Sequence, residues 1–311
     1  MPPAIVVLGP QRHKPTLLPA MEAMGVGGTV AAVTAGWEER EAEVERLESH
    51  LGTRVVNLEL HRRGEDVLGR DREFLDAWRL RRERLREHGE VYRRRLGFLV
   101  RSVRELLRRK GEEELVGPDR EAAIEDVRRL DDLRLRRVEA IEAEFEERWR
   151  PGEREAIAAH RAEVAAVVEE ADAVVIAGGN VAVLLNRLRL FGLPALLPGR
   201  PLFAWSAGAM ALTDRVVLFH DDPPIGVGNA EVMGAGLGLV PGVVLLPHAH
   251  RRLRLQDRVR TAVFALRFAP SLCVAMEDGS ALACRGRRRK VLEPGLAALT
   301  TAGALEPLGA P

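Results

Sequence analysis

Only two cysteines, Cys273 and Cys284, occur in the 311 residues. Both stand in apolar surroundings near the C-terminus, so there is no disulfide framework and no zinc-ligand spacing, and a reducing compartment is expected. Long apolar runs are missing too. None reaches the roughly 18 residues of a membrane span, and the opening MPPAIVVLGPQRHK lacks the basic start and apolar length of an export signal. The expectation is a cytoplasmic protein. An excess of one charge is also lacking: 47 basic and 46 acidic residues leave a formal net charge of +1, which calls for neither nucleic acid nor an anionic membrane as partner. What the chain does have is apolar residues, 46% of the total, enough over this length for a large core and against disorder throughout.

Ala4 to Leu8 is a short β-branched run stopped by Gly9-Pro10, and Thr29 to Val33 is another, stopped by Thr34-Ala35-Gly36. Such runs predict buried parallel strands. A helical pattern from Glu38 to Leu51, stopped by Gly52, leads to a third strand over Val55 to Leu58. This is β-α-β alternation. From about Arg72 to Arg150 Arg and Glu dominate and apolar residues recur at three-to-four spacing, which predicts helix almost throughout. Gly111 and Gly117-Pro118 divide an Arg-rich first half from a more acidic second half, predicting two or more long antiparallel helices. The run RRRLGFLVRSVRELLRRK alone would suit nucleic acid, but EEEL and EFEER follow with opposite charge, so a solvated helical hairpin is expected. Strand-like runs resume at Ala173 to Ala177, Pro201 to Ala204, Val216 to Phe219, Val243 to Leu246 and Leu272 to Met276. The expected organisation is a first part of an α/β domain over 1–71, a helical insertion over 72–150, and a second part over 151–311 that carries the chemistry. Spare apolar positions at Phe98, Leu99, Leu106 and Leu107 make a homodimer reasonable.

The segment Pro201-Leu-Phe-Ala-Trp-Ser206-Ala-Gly-Ala-Met sets a serine directly after an apolar strand, with Ala204 and Gly208 two residues to either side. A nucleophile elbow needs small residues there because its turn is sharp, and the helix that follows aims its first amides at the reacting centre. A plain helix N-cap serine fits the same residues. Upstream, Ala173-Val-Val-Ile-Ala-Gly178-Gly179-Asn180 is a buried strand ending in two glycines at a helix start, suited either to an oxyanion or to an ordinary tight turn. No G-x-G-x-x-G or Walker pattern follows it. A serine nucleophile requires a base, and the base an acid to orient it. Two clusters qualify, His220-Asp221-Asp222-Pro223-Pro224 after Val216 to Phe219, and Pro247-His248-Ala249-His250 after Val243 to Leu246. In one parallel sheet these strand ends would share an edge with Ser206.

In this order GGN, WSAGA, DDPP, GLGL and PHAHRRLR resemble the dipeptidase E and cyanophycinase serine peptidases. The resemblance is close from about Glu169 onward, looser over the first 60 residues, where VTAGWEERE falls at the second strand, and absent from the helical stretch. It implies an α/β fold of the class I glutamine amidotransferase-like type, a mostly parallel sheet flanked by helices, in agreement with the alternation above. It further implies Ser206 as nucleophile, His248 as general base, Asp221 as the acid that fixes His248, and the Gly179 and Ala207 amides as the oxyanion hole. The implied reaction is hydrolysis of small or acidic peptides through an acyl-enzyme, with no metal and no cofactor. Cysteine usually occupies the elbow in the wider fold, so a serine argues against a thiolate glutaminase. Asp221, fifteen residues after Ser206, fits the dipeptidase branch, whereas His248 with Arg252 and Arg254 follows a cyanophycinase-like H-x-x-x-R-x-R pattern. Ala249 stands where the family commonly has an aromatic, and His250 is the second candidate base. Arg252 and Arg254 are candidates for a substrate carboxylate, with Asn180 as a further substrate contact. Two other classes compete. A metal-dependent hydrolase would use His220, Asp221, Asp222, His248 and His250 but would leave the SAGA elbow and GGN turn without a role. A non-catalytic scaffold would use the helical insertion to dock a partner, and the altered positions Ala204 and Ala249 suit it.

Overall fold

Short runs of small and β-branched residues build a central seven-stranded sheet in the computed structural model, which describes residues 5–220 and 228–309. Five strands are mutually parallel: β1 (Ile5–Leu8), β2 (Val30–Val33), β3 (Val55–Asn57), β4 (Ala173–Ile176) and β5 (Leu202–Trp205). In space they run β1-β5-β4-β2-β3. The period-two alternation divides their side chains between two cores: Val6, Leu8, Val30, Ala32 and Phe203 face one, and Val7, Ala31, Val33, Ile176 and Ala204 the other. Helices α1 (Leu17–Ala23) and α2 (Glu45–Leu51) close the first core. The second lies against α3 (Leu60–Arg70) and the later helices. The chain is thus a mostly parallel α/β sheet flanked by helices, as expected.

The predicted helix over Glu38 to Leu51 is shorter than its pattern suggests. A 3-10 turn covers Ala35–Arg40, and regular helix begins only at Glu45, because Glu38 adopts φ 57° and ψ −121°, outside any helix. Gly52 ends α2 in the left-handed conformation, φ 63°, which suits a residue without Cβ.

Two 37-residue helices follow, α4 (Arg72–Arg108) and α5 (Glu113–Trp149). The chain breaks only at residues 109–112, and Gly117 and Pro118 lie inside the opening turns of α5 rather than dividing it. Buried positions on α4, Phe74, Ala77, Trp78, Arg81, Gly89, Tyr92, Leu96, Val100 and Val103, recur every three or four residues and place one face against α5 and the core. Cross-pairs Arg81 with Glu142 and Tyr92 with Asp131 run in opposite senses along the two helices, which are therefore antiparallel. Of the apolar residues singled out on α4, Phe98 is 71% exposed, while Leu99 and Leu107 rest partly against the core.

Beyond α6 (Glu155–Glu170), the helices are α7 (Val181–Leu190), α8 (Leu193–Leu196), α9 (Ala207–Ala211), α10 (Ala249–Arg252) and α11 (Arg258–Phe268). Strands β6 (Arg215–Leu218) and β7 (Glu231–Ala235) form a two-stranded antiparallel ribbon. The run at Val216 to Phe219 is therefore a strand, but it does not belong to the parallel sheet. Strands β8 (Val243–Pro247) and β9 (Leu272–Met276) pair in parallel within a separate four-stranded sheet. β10 (Ala281–Arg285) and β11 (Arg288–Glu293) extend the central sheet antiparallel beyond β1. β12 (Leu296–Leu299) and β13 (Leu305–Pro307) complete the four-stranded sheet.

Candidate active site

β5 ends at Trp205 and α9 begins at Ala207, so one residue, Ser206, makes the whole turn. It does so at φ 52° and ψ −119°, a conformation that costs a non-glycine residue about 1–3 kcal/mol. The small neighbours have a steric reason. A Cβ on Gly208 would stand 2.4 Å from the Ile176 carbonyl oxygen and 2.7 Å from that of Ala177, so α9 crosses the end of β4 too closely for a side chain. Ser206 occupies the N-cap position, yet its side chain caps nothing. Helix capping therefore does not account for it. Strain at a serine that makes no capping bond is the geometry of a nucleophile elbow.

The Gly178-Gly179-Asn180 turn leaves β4 beside this elbow. A Cβ on Gly178 would lie 3.0 Å from Ser206 Cβ and 3.4 Å from Ser206 Oγ. Gly179 has φ 112°, and a Cβ there would meet the Gly36 carbonyl oxygen at 2.1 Å, so two constraints exclude any larger residue. Among the described residues, neither the Gly179 nor the Ala207 N–H donates to a backbone carbonyl. Asn180 is held firmly: its N–H donates to Gly36 O at 2.7 Å, its Oδ1 accepts from Ala182 and Val183 N–H at 3.1 and 3.3 Å, and its Nδ2 donates to Glu38 Oε1 at 2.9 Å. The strained Glu38 thus belongs to the same loop cluster.

His248 follows β8 in the left-handed region, φ 58°, and its N–H donates to Met276 O at 3.0 Å, tying it to the end of β9. The next residues along β9 are acidic. Glu277 Oε1 accepts from the His250 N–H at 2.9 Å and lies 2.7 Å from His250 Nδ1, while His248 Nδ1 stands 3.9 Å from Asp278 Oδ1. This cluster and the elbow meet through β1. Ser206 N–H donates to Leu8 O at 3.2 Å, the adjacent Gly9 N–H donates to Ser280 O at 2.9 Å, and a Cβ on Gly9 would be 2.1 Å from Glu277 O. Backbone contacts thus link the end of β1 beside Ser206 to the segment after β9 that carries Glu277 and Asp278 beside the histidines, although β8 and β9 belong to a different sheet from β5.

Burial pushes the His248 pKa below its ordinary value, and the Arg252 guanidinium adds to the effect, against the opposing pull of Asp278 and Glu277. This biases the His248 imidazole toward its neutral form. Arg254 goes elsewhere, into a small cavity with Val100, Leu255 and Phe264. Asp221, with Asp222, Pro223 and Pro224, lies outside the described residues. Sequence reasoning passes over Glu277 and Asp278, although a signal exists: the apolar run Leu272 to Met276 ends in Glu-Asp-Gly, the same strand-end position that draws attention to His248. Among the described residues, no group of three or more His, Cys, Asp or Glu side chains is arranged to hold a metal ion. Nor is any helix among them long and apolar enough to cross a membrane.

A strained serine turn at the end of a parallel strand, with a glycine turn against it, sets a nucleophile-elbow geometry in an α/β fold. Residues 146–292 match the model of peptidase family S51, a stretch that holds the GGN turn, Ser206, His248 and Glu277. The chain is a serine-type peptidase that carries the family S51 signature over this segment, and the resemblance seen in the sequence is borne out there. Solved structures similar to the chain include a peptidase from an acI-B1 Actinobacterium, 14% identical with a TM-score of 0.49, the match covering 100% of this chain and 95% of that one. Another is a putative peptidase E protein from Listeria monocytogenes EGD-e, 13% identical with a TM-score of 0.46, covering 94% and 99% respectively. No curated protein matches the chain.

Proposed function

We propose that the protein hydrolyses small or acidic peptides with Ser206 as nucleophile and His248 as general base. The observation that carries this reading is the strained Ser206 turn, whose side chain caps no helix and lies so near Gly178 that a Cβ there would come within 3.0 Å of Ser206 Cβ and 3.4 Å of Oγ. His248 takes the Ser206 proton as Oγ attacks the peptide carbonyl carbon, and the Gly179 and Ala207 N–H groups receive the oxyanion. His248 then gives that proton to the departing amine. Water, deprotonated by the same imidazole, hydrolyses the acyl-enzyme and restores the serine.

His248 is preferred to His250 because its side chain is 28% exposed against 62%, which suits a base with a lowered pKa. Three carboxylates compete to orient it. Asp221 has the spacing that the resemblance asks for, Asp278 Oδ1 stands 3.9 Å from His248 Nδ1, and Glu277, which holds His250, acts on His248 only through its charge. Arg252, beside His248, is the candidate for a substrate carboxylate.

The test is labelling with a fluorophosphonate probe together with hydrolysis of acidic and basic dipeptides by wild type, Ser206→Ala, His248→Ala, Asp221→Asn, Asp278→Asn and Glu277→Gln. Labelling and hydrolysis lost in Ser206→Ala and His248→Ala establish the reading, and whichever carboxylate variant loses the most rate is the orienting acid. A wild type that neither labels nor hydrolyses favours the scaffold instead.

A further inference from the structure

Glu38 shares the backbone conformation of the serine elbow. Its angles are φ 57° and ψ −121°, against φ 52° and ψ −119° at Ser206. Such angles are costly for any residue with a side chain, whereas glycine adopts them freely, so a glutamate at this position calls for a reason in its carboxylate. That carboxylate reaches the glycine turn: Glu38 Oε1 accepts from Asn180 Nδ2 at 2.9 Å.

The loop that carries Glu38 is a wall for that turn. A Cβ on Gly36 would lie 2.6 Å from Gly178 O, 3.2 Å from Asn180 N and 3.3 Å from Gly179 Cα, so the loop covers one side of the Gly178–Gly179 peptide. This peptide is trans, and in a trans peptide the carbonyl and the N–H point opposite ways. With Gly178 O against Gly36, the Gly179 N–H is aimed away from the wall. The wall is itself anchored. Thr34 Oγ1 and Asn57 Nδ2 both donate to Glu41 O, at 2.8 and 2.7 Å, and the Glu41 carboxylate accepts from the His61 and Arg62 N–H groups at 2.8 and 2.9 Å. Two bonds then join wall to turn, Glu38 to Asn180 Nδ2 and Asn180 N–H to Gly36 O at 2.7 Å. Asn180 spends its other groups on α7, with Oδ1 on the Ala182 and Val183 N–H groups and its carbonyl on the Leu184 N–H at 3.0 Å.

We infer, on the serine peptidase reading above, that Glu38 is a positioning residue: through Asn180 it holds the Gly178–Gly179 peptide so that the Gly179 N–H faces the oxyanion formed at Ser206. Glu38 does this without touching the substrate. Since the oxyanion develops only in the transition state, losing this hold lowers kcat and leaves KM in place.

The experiment measures kcat and KM, for a peptide that the wild type cleaves, in Glu38→Gly, Glu38→Gln, Asn180→Asp and the double variant Glu38→Gln with Asn180→Asp. Glu38→Gly relieves the strained angles and removes the acceptor, and should lower kcat by about ten- to a hundredfold at constant KM, short of the ~10²–10³ lost with an oxyanion donor itself. Glu38→Gln keeps an oxygen for Asn180 and should stay within about threefold of wild type. Asn180→Asp keeps the cap on α7 but sets two carboxylates face to face, so it should fall as far as Glu38→Gly. The double variant exchanges donor and acceptor and should regain at least about tenfold over Asn180→Asp. If Glu38→Gly does not fold, the Asn180→Asp pair decides alone. Unchanged kcat in Glu38→Gly, or no recovery in the double variant, would overturn the inference and leave the peptidase reading standing. A wild type that hydrolyses nothing sinks the peptidase reading instead, and hydrogen exchange then tests the hold: the amides of 178–180 should exchange at least about tenfold faster in Glu38→Gly than in wild type or Glu38→Gln, and equal protection in all three would overturn it.

Discussion

Removing the Asp131 carboxylate should loosen the helical pair from the core at a cost set by one buried network. Asp131 and Arg267 are 1% and 5% exposed, and their two hydrogen bonds, Nε to Oδ2 and Nη2 to Oδ1, are both 2.6 Å long. Tyr92 Oη donates to Asp131 Oδ1 at 2.8 Å and accepts from Arg267 Nη2 at 2.9 Å and from the Val232 N–H at 3.0 Å. Arg267 Nη1 donates to Ala230 O at 2.6 Å. Elements α4, α5, α11 and β7 are joined at this one point. Burial works against the charge on Arg267, but the Asp131 charge and hydrogen bonds outweigh it and hold the guanidinium pKa above its ordinary value. In Asp131→Ala that cation stays buried without its counter-charge, a situation that costs about 3–5 kcal/mol. With an unfolding entropy of ~2.1 cal/mol/K per residue, a chain of this length would melt about 5–8 °C lower. Thermal and urea unfolding followed by circular dichroism measure this directly. The double variant Asp131→Leu with Arg267→Met should recover most of the loss, because replacing both charges by apolar groups of similar volume is close to neutral. A single variant costing under ~1 kcal/mol, or a double variant costing the sum of both singles, would refute the view that the network clamps the helices.

Three further outcomes follow from the site and its surroundings. Since burial and Arg252 depress the His248 pKa, and the base acts only when neutral, kcat/KM should climb with rising pH through a midpoint under ~6.5 and then level off; Arg252→Gln removes a like charge and should move that midpoint upward, whereas a wild-type midpoint above 7 contradicts the assignment. Ser206→Gly should abolish hydrolysis yet raise stability by about 1 kcal/mol in urea unfolding, because glycine holds φ 52° without strain; unchanged or lower stability would show that the turn stores none. Burial pushes the thiol pKa of Cys273 up to about 12 and that of Cys284 to about 11, so neither should react with Ellman's reagent at pH 8 until the protein is unfolded, and one fast equivalent in the native state would contradict this.

The elements legible in the sequence are those whose cause is local. Val-rich runs such as Ala173 to Ala177 become buried strands because three successive apolar β-branched side chains in so short a run suit a strand rather than a helix. The elbow was readable from its small residues, and the structure supplies the reason in the 2.4 Å approach that a Cβ on Gly208 would make to Ile176 O. Glu38 was not, since a glutamate at φ 57° has no signature in a helical-looking stretch; only the packing of Gly36 against the GGN turn demands it. Sheet membership escaped for a similar reason. The run at Val216 to Phe219 states that it is a strand but not which strand it pairs with, and its antiparallel partner β7 begins only at Glu231.

The carboxylate beside the histidines illustrates the same limit at the site itself. His250 and Glu277 are 27 residues apart in the chain, and nothing local links them. Once β8 and β9 are known to pair in parallel with Pro247 opposite Met276, the residues that leave those two strands, His248 and Glu277, must emerge side by side. Asp221 is named by the resemblance, which its spacing along the chain fits, whereas Glu277 and Asp278 are reached by register across strands, which backbone hydrogen bonds hold. The comparison of Glu277→Gln with Asp221→Asn therefore asks whether a triad acid is set by the loop that follows the nucleophile or by the strand that neighbours the base. A pH–rate profile in which Asp278→Asn or Glu277→Gln, but not Asp221→Asn, lowers kcat would place the acid in the turn just after β9.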